Sequence, residues 1–326
     1  MGTVAVLCTG GTIASLAVPG GGSRASLPAR VLLDGVPVPQ GTQVVGHDIL
    51  QLNSFALTPE DMLRVLDEVK RAFADPEVEA VVITHGTDAM EETAFFVDLL
   101  LDEDRPVVFT GAQRTADALN PDGPANLRDA IAVAAHPLAR GLGVLVVFDG
   151  AVFAARGVRK VHTLASAAFG DPDSGPLGGV AAGTVCLSRR SVRATPMDRA
   201  ELSQPLPRVD VVAVYPGSDG VAAAALAVAG AKGLILQATG AGNATPAILR
   251  AVRELVSGGT PVVISTRVSA GPVVPLYAGS GGGTDLAAAG AISAGRLRPS
   301  QARMLLIALL STGATTESIQ RTFATH

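Results

Sequence analysis

Short apolar, β-branched runs that alternate with longer helix-like segments most constrain the fold of this chain. The runs lie at 3–8, 80–84, 106–111, 143–150, 209–217, 233–240 and 261–268. They are continuously apolar, which is typical of strands buried on both faces of a parallel sheet, whereas a strand with one solvated face alternates apolar and polar residues. The pattern therefore predicts an α/β fold.

Apolar residues at helical spacing fill the intervals between these runs. Thr58, Pro59 and Asp61 form a capping-box-like start with Pro at the first helical position, so a helix is expected to begin there. Other helices are predicted over 89–101, 126–135, 246–256 and 299–310.

A polar, Pro-containing stretch with charges of both signs interrupts this alternation after residue 189. A chain of 326 residues is long for a single hydrophobic core, so two domains are expected. The sequence therefore predicts an N-terminal α/β domain over 1–189, a linker over 190–208 and a C-terminal α/β domain over 209–326.

The composition narrows the class of partner. The chain is 48% hydrophobic and 17% charged with a net charge of −4, so it offers no broad basic field to nucleic acid or anionic lipid. A small-molecule partner is expected. The first residues lack a basic n-region, and every long apolar stretch contains Gly, Pro or a charge, so a cytoplasmic protein is expected. Two cysteines, Cys8 and Cys186, are too few for a disulfide framework.

Reactive side chains follow three of the predicted strands, at 9–12, 84–88 and 110–114. Ligands of open parallel sheets bind at the carboxyl ends of strands, so these segments are the candidate site. The chain lacks a P-loop, and 8–15 does not have the glycine spacing of a dinucleotide fingerprint. It also lacks a Ser nucleophile elbow, and its five histidines have no metal-ligand spacing, so a metal site is not expected.

The remaining possibility is catalysis by a threonine hydroxyl group. Thr12 and Thr87 are weak nucleophiles at their free pKa and need a nearby base, for which Lys160 is the candidate. Gly11 and Gly86 beside them permit close backbone approach and leave amides for an oxyanion or a carboxylate. We interpret His85 as structural, since no other residue offers it a catalytic partner.

These residues resemble one family. "TGGTIA" (9–14) and "THGTDAMEET" (84–93) are similar to the two signature motifs of the bacterial-type L-asparaginase and glutaminase-asparaginase family, amidohydrolases that release ammonia from an amino-acid side-chain amide. The resemblance spans nearly the whole chain, because it continues through 107–114, 122–130, 158–160, 240–243 and 297–306.

The resemblance implies a fold and an assembly. It implies a larger N-terminal, doubly wound, mainly parallel sheet domain and a smaller C-terminal α/β domain. It also implies a homotetramer, a dimer of intimate dimers, whose sites form between subunits. The expected substrate is an amino acid, and neither a metal nor an organic cofactor is required.

The resemblance also implies residue roles. Thr12 is similar to the acyl-accepting nucleophile, and Thr87, Asp88 and Lys160 to a second cluster in which Lys160 and Asp88 tune Thr87. Ser54 matches a residue that binds the substrate α-carboxylate, and Asp88 also pairs with the α-ammonium. The expected substrate-binding set is Gly11, Ser54, Phe55, Gly86, Asp88, Ala112 and Asn243, of which Asn243 reaches the neighbouring subunit's site.

Three departures from the family pattern concern the substrate pocket. The glycine-rich stretch 15–28, expected to be mobile and to fit a lid, carries no Tyr, and Phe55 stands where a Gln usually follows Ser54. The segment 267–286 lacks the Glu that a partner subunit commonly provides. We hypothesise that Tyr277 replaces the missing phenol, with Asp285 a weaker candidate for the acid.

Three alternatives to asparagine hydrolysis stay open. Because Phe55 makes the pocket less polar, the amide could instead be glutamine or a D-amino acid. A second alternative is a catalytically weak amino-acid-binding protein, since the stretch 15–28 lacks the Tyr that stands beside the nucleophilic Thr in the family. The amidotransferase subunit that acts on misacylated tRNA shares these motifs, but the absence of an extra N-terminal domain and of a basic patch disfavours it.

Overall fold

The computed structural model describes residues 2–191 and 193–326. The chain forms two compact units, Met1–Met197 and Asp198–His326. The division between them lies within the range 190–208 that the sequence predicts as a linker.

The first unit contains twelve strands and four helices in its described residues. Its strands are β1 (Gly2–Gly10), β2 (Ser15–Ala17), β3 (Ser23–Ala25), β4 (Thr42–Leu52), β5 (Val78–Thr84), β6 (Val107–Thr110), β7 (Val144–Phe148), β8 (Ala151–Ala154), β9 (Arg159–Lys160), β10 (Phe169–Gly170), β11 (Gly178–Ala181) and β12 (Thr184–Leu187). Its helices are α1 (Ala29–Leu32), α2 (Pro59–Phe73), α3 (Met90–Leu100) and α4 (Gly123–Ala134).

Eight of these strands form one sheet in the order β12-β11-β8-β7-β6-β5-β1-β4. The five strands from β4 to β7 are parallel, and β8, β11 and β12 extend that sheet with antiparallel pairings. Among the parallel strands, β4 lies on one side of β1, and β5, β6 and β7 follow on the other side. This is the doubly wound order in which the crevice opens between β1 and β5.

Helices cover both faces of the sheet. Inward side chains Val4, Val6 and Cys8 of β1 pack with α1 and α4 in one buried cluster, while α2 and α3 contact the opposite face. The central strand β5 is buried on both faces, with Val81, Val82 and Ile83 fully buried. The predicted α/β fold class is confirmed, and the continuous apolarity of the central strands follows from this double covering.

The second unit holds a four-stranded parallel sheet in the order β13-β14-β15-β16. Its strands are β13 (Val209–Ala213), β14 (Gly233–Ala238), β15 (Val262–Thr266) and β16 (Ile292–Ser293). Its helices are α5 (Val221–Val228), α6 (Pro246–Ser257), α7 (Gly283–Ala288), α8 (Pro299–Ser311) and α9 (Thr316–Thr325).

The helix boundary predicted at Thr58 is confirmed. The Thr58 side chain accepts the backbone N–H of Asp61, and the Asp61 carboxylate accepts the backbone N–H of Thr58, which completes the capping box. This start fixes α2 directly after the short 3₁₀ turn Ser54–Ala56, which belongs to the candidate site.

The stretch 15–28 is more regular than a plain loop, because β2 and β3 pair as an antiparallel hairpin. Its turn contains Gly20, Gly21 and Gly22, all at positive φ. No atom of the described residues lies within 4 Å of a Cβ placed on any of the three. The glycine run therefore packs against nothing, as its composition predicts, while backbone pairing orders the segments on either side.

Candidate active site

The two threonine motifs meet at the carboxyl ends of β1 and β5, the neighbouring strands between which the crevice opens. Thr12 begins a 3₁₀ turn two residues after β1 ends, and Thr87 lies three residues after the end of β5. The doubly wound strand order therefore brings together two motifs that lie 75 residues apart, as the hydrogen bond from Thr9 Oγ1 to the Thr84 carbonyl shows.

Glycines allow the two backbones to touch. A Cβ on Gly11 would lie 2.5 Å from Gly86 Cα, and a Cβ on Gly86 would lie 2.5 Å from Ser54 Oγ. Gly11 also has a φ of 76°, a conformation that favours glycine. Gly11, Gly86 and Ser54 are thus stacked closely enough that any side chain on either glycine would displace its neighbour.

Lys160 is bonded to both polar side chains of the second motif. Its Nζ lies 2.7 Å from Thr87 Oγ1 and 2.8 Å from Asp88 Oδ1, and these residues are more than 70 positions from it in the chain. The lysine side chain is 19% exposed and that of Asp88 is 54% exposed, so the group lies at the border of the solvent. The structure therefore brings Thr87, Asp88 and Lys160 together.

Gln113 determines which way the hydroxyl proton of Thr87 points. Gln113 Nε2 lies 3.1 Å from the Thr163 carbonyl, which can only accept, so the amide oxygen must face Thr87. Thr87 Oγ1 donates to that oxygen over 3.0 Å and keeps its lone pairs for the Lys160 ammonium. The sequence marks Gln113 only as part of a reactive strand end, and its role depends on a contact with a loop 50 residues away.

Ser54 is buried and touches the second motif. Its Oγ accepts the backbone N–H of Asp88 over 3.1 Å, which fixes the hydroxyl beside the two glycines. Phe55 follows it in the same 3₁₀ turn with 73% of its surface exposed. Ala112, at the carboxyl end of β6, is fully buried. All three expected substrate-binding residues therefore lie in the first unit, on segments that follow strands of its sheet.

His85 is fully buried, and its side chain binds the backbone of the second threonine motif. Burial lowers the pKa of His85 to about 4, so the ring is neutral at pH 7. Its Nδ1 lies 2.7 Å from the Gly86 carbonyl and must carry the proton to donate to it, and the ring packs edge-on against Phe109. Its Nε2 has no hydrogen-bond partner among the described residues. These contacts hold the Gly86 peptide.

Asn243, Tyr277 and Asp285 belong to the second unit. Asn243 Oδ1 accepts the backbone N–H of Gly283 over 3.1 Å, so this amide oxygen organises the loop before α7. Tyr277 is 60% exposed, and its backbone carbonyl accepts both N–H and Oγ1–H of Thr284. Asp285 lies in the first turn of α7. The contacts of these three residues within their own unit leave their roles toward a substrate as predictions.

Cys8, the potential metal ligands and the helix lengths complete the description of the chain. Cys8 is buried in β1, where burial raises the pKa of its thiol to about 11, which agrees with an inert structural cysteine. Within the described part of the chain, no cluster of His, Cys, Asp and Glu could hold a metal ion. No helix there is long and apolar enough to cross a bilayer.

Comparison with known proteins gives the chain its family. The model described as "Asparaginase, N-terminal" matches residues 3–193, and the "Glutaminase/Asparaginase C-terminal domain" matches 208–323. This chain belongs to the asparaginase family. The resemblance expected from the two threonine motifs is thereby confirmed across both units.

Two relatives and one solved structure match this asparaginase-family chain over nearly their whole length. A probable L-asparaginase of Deinococcus radiodurans is 40% identical, over 98% of this chain and 96% of the relative. A glutaminase-asparaginase of Acinetobacter glutaminasificans is 34% identical, over 98% of each. The crystal structure of a probable cytoplasmic L-asparaginase from Campylobacter jejuni superposes with a TM-score of 0.90 at 35% identity, covering 99% of both chains.

Proposed function

We propose that this protein hydrolyses the side-chain amide of L-asparagine to L-aspartate and ammonia through a threonine nucleophile. The observation that carries the proposal is the hydrogen-bonded chain from Asp88 through Lys160 and Thr87 to Gln113, at the strand ends where Thr12 also lies. Family membership and relatives named L-asparaginase support the same reaction.

The first half-reaction uses Thr12. Its Oγ1 attacks the amide carbon of the substrate, the C–N bond breaks, and the hydroxyl proton leaves with the nitrogen as ammonia, so that an ester to Thr12 remains. Thr12 is the first residue of its 3₁₀ turn, where backbone N–H groups lack partners within the turn. Such amides stabilise the tetrahedral oxyanion, typically by about 3–4 kcal/mol per donor.

The second half-reaction uses the Thr87 cluster. A water molecule adds its oxygen to the acyl carbon, its protons are distributed between the carboxylic product and Thr12, and L-aspartate is released. Thr87 orients this water, and Lys160, in its neutral amine form for this step, takes up the water proton by way of Thr87 and returns it to Thr12 Oγ1, since Thr87 and Lys160 are already joined by a 2.7 Å hydrogen bond. Asp88 stabilises the Lys160 ammonium that forms during the step.

An amino-acid substrate presents an ammonium and a carboxylate that need opposite partners. Asp88, with a half-exposed carboxylate, is suited to the α-ammonium. Ser54 Oγ and the amides near Gly11 and Gly86 are suited to the α-carboxylate. Asn243 of a neighbouring copy completes the pocket in this proposal, with Tyr277 taking the place of the missing loop phenol.

The proposal includes a homotetramer of intimate dimers with shared sites, and a cytoplasmic location like that given for the Campylobacter jejuni relative. Shared sites have a direct test, because Thr12→Ala and Asn243→Ala would damage the same pocket from different subunits. Mixing the two inactive variants should restore part of the ammonia release by forming some intact sites. Mixtures that stay as inactive as their components would exclude a shared site.

Glutamine is the competing substrate that a specific observation favours. Several relatives are named glutaminase-asparaginase, and exposed Phe55 beside Ser54 makes this side of the pocket less polar. The discriminating measurement is kcat/KM for ammonia release from L-asparagine, L-glutamine and D-asparagine. We expect L-asparagine to give the highest value; a higher value for either other amide would reassign the substrate. Tight L-aspartate binding by calorimetry without ammonia release from any amide would instead indicate a binding protein.

A further inference from the structure

Glu91 touches the same lysine that Thr87 and Asp88 hold, but at the opposite end. Its Oε2 lies 2.6 Å from the backbone N of Lys160, a residue 69 positions away. Glu91 is in the first turn of α3, only three residues after Asp88. A single segment, 87–91, therefore binds both the ammonium and the backbone of Lys160.

The local pairing of Lys160 explains why its backbone N–H is available to Glu91. Lys160 and Phe169 face each other in the antiparallel pair β9-β10, and the next residue, Val161, donates its N–H to Ala168 on the partner side. Hydrogen-bonded and non-hydrogen-bonded pairs alternate along such a ladder, so the Lys160 N–H points away from β10. It points to the side where the Glu91 carboxylate accepts it.

The charge of Glu91 suits this position. A carboxylate in the first turn of a helix is stabilised by the unpaired N–H groups and the dipole of that helix. A hydrogen bond from a backbone N–H to an ionised acceptor is also stronger and shorter than a neutral one, in agreement with the 2.6 Å separation. The interaction thus fixes the main chain of β9, a strand only two residues long.

We infer that Glu91 is the positioning residue that aims Lys160 at Thr87, an inference that rests on the function proposed above. A lysine has a long flexible stem, so holding the ammonium at Thr87 requires that its Cα be held as well. Glu91 does this across the gap between α3 and β9. Neither the substrate nor the reacting atoms need to touch it.

The decisive experiment measures ammonia release by Glu91→Ala and Glu91→Gln, alone and combined with Lys160→Met. Glu91→Ala should lower kcat about 10- to 100-fold with KM changed less than about threefold, because a misplacement near 1 Å costs that much. Glu91→Gln keeps an acceptor for the Lys160 N–H and should recover most of the loss. In the Lys160→Met background, Glu91→Ala should change the residual rate less than about twofold, since it acts only through that lysine.

Asp173→Asn is the matched control for general loosening of the same loop. Asp173 pairs with Arg159, the neighbour of Lys160, over 3.2 Å, without contacting the Lys160 amide. It should lower the melting temperature but reduce kcat less than Glu91→Ala does. Equal losses in the two variants, or the same factor for Glu91→Ala with and without Lys160, would overturn the inference.

Hydrogen–deuterium exchange separates this inference from the proposed function. Glu91→Ala should speed exchange at the Lys160 amide, and unchanged exchange there would contradict the contact whatever the activity. If the wild-type protein releases no ammonia, the proposed function fails, and the exchange result alone decides whether Glu91 holds the lysine. If the wild type releases ammonia and Lys160→Met loses most of that activity, the proposed function stands. The kcat of Glu91→Ala then tests only the role of Glu91.

Discussion

Two segments, 9–12 and 84–87, share the pattern Thr-x-Gly-Thr and lie at the carboxyl ends of neighbouring parallel strands, yet their second threonines, Thr12 and Thr87, have different surroundings. Thr87 Oγ1 is bonded to Lys160 and Gln113. The Thr12 hydroxyl has no hydrogen-bond partner among residues 2–191 and 193–326. The shared motif therefore places the Thr12 and Thr87 hydroxyls at the same edge of the sheet. The rest of the fold connects Thr87 to a hydrogen-bond network and leaves the Thr12 hydroxyl available to a substrate.

The second position of each motif also differs, for reasons of space. At Gly10, φ is 106° and a Cβ would lie 2.6 Å from the Leu52 carbonyl oxygen, so only glycine fits against β4. At His85, the ring fills a fully buried position and its Nδ1 binds the Gly86 carbonyl. The edge strand β4 constrains the first motif, whereas a buried side chain constrains the second.

Removing either threonine should produce the largest effect. Thr12→Ala and Thr87→Ala should each lower the rate of ammonia release by more than about a thousandfold, since residues that act as a unit lose nearly all activity together. Mass spectrometry of quenched reactions separates their roles, because only protein that retains Thr12 can carry the acyl group there. Substantial turnover in either variant would remove that threonine from the mechanism.

Replacing Lys160 tests whether its hydrogen bond gives Thr87 a catalytic role that differs from that of Thr12. Lys160→Met should lower kcat by about 10²- to 10⁴-fold, the usual contribution of a positioned proton-transfer group. Lys70→Met, which removes an exposed lysine from α2, is the matched control and should leave kcat near the wild-type value. If the two variants were equally active, the hydrogen bond from Lys160 to Thr87 would have no catalytic role.

The buried histidine should make stability fall with acid. The native pKa of His85 is lowered to about 4, below its ordinary value, so the unfolded chain takes up a proton first as the pH falls. Its contribution is therefore intact above about pH 6.5 and is lost towards pH 4, by up to about 3 kcal/mol.

Thermal unfolding at pH 7 and pH 4.5 measures this loss. His85→Asn should show a smaller drop in Tm between the two pH values than the wild type, whereas His47→Asn, at an exposed position of β4, should keep the full drop. Identical drops in all three proteins would mean that His85 does not control the acid sensitivity.

Tyr277 should give the smallest effect, because it tests only a replacement for the Tyr that the stretch 15–28 lacks. Tyr277→Phe should lower kcat a few-fold if its phenol assists Thr12, while Tyr215→Phe, the other exposed tyrosine, should leave kcat unchanged. A kcat for Tyr277→Phe within about twofold of the wild-type value would exclude this role.

Much of the fold could be predicted because its central strands are buried on both faces. The runs at 80–84 and 106–111 correspond to β5 and β6. The edge strand β4 has no such signature, since most of its residues are exposed and polar residues interrupt it. The antiparallel strands β8, β11 and β12 are short and only partly buried, so continuous apolarity does not identify them either.

The sequence by itself determined where the two threonine motifs lie along the chain, because glycine, a hydroxyl and the end of an apolar run are local features. The tertiary structure alone decided that β1 and β5 are neighbours and that Lys160 reaches Thr87. It also supplied Gln113 and Glu91, to which the sequence gives no role. The physical reason is that hydrogen bonds between residues 26 to 73 positions apart depend on strand order and loop path, which no local pattern encodes.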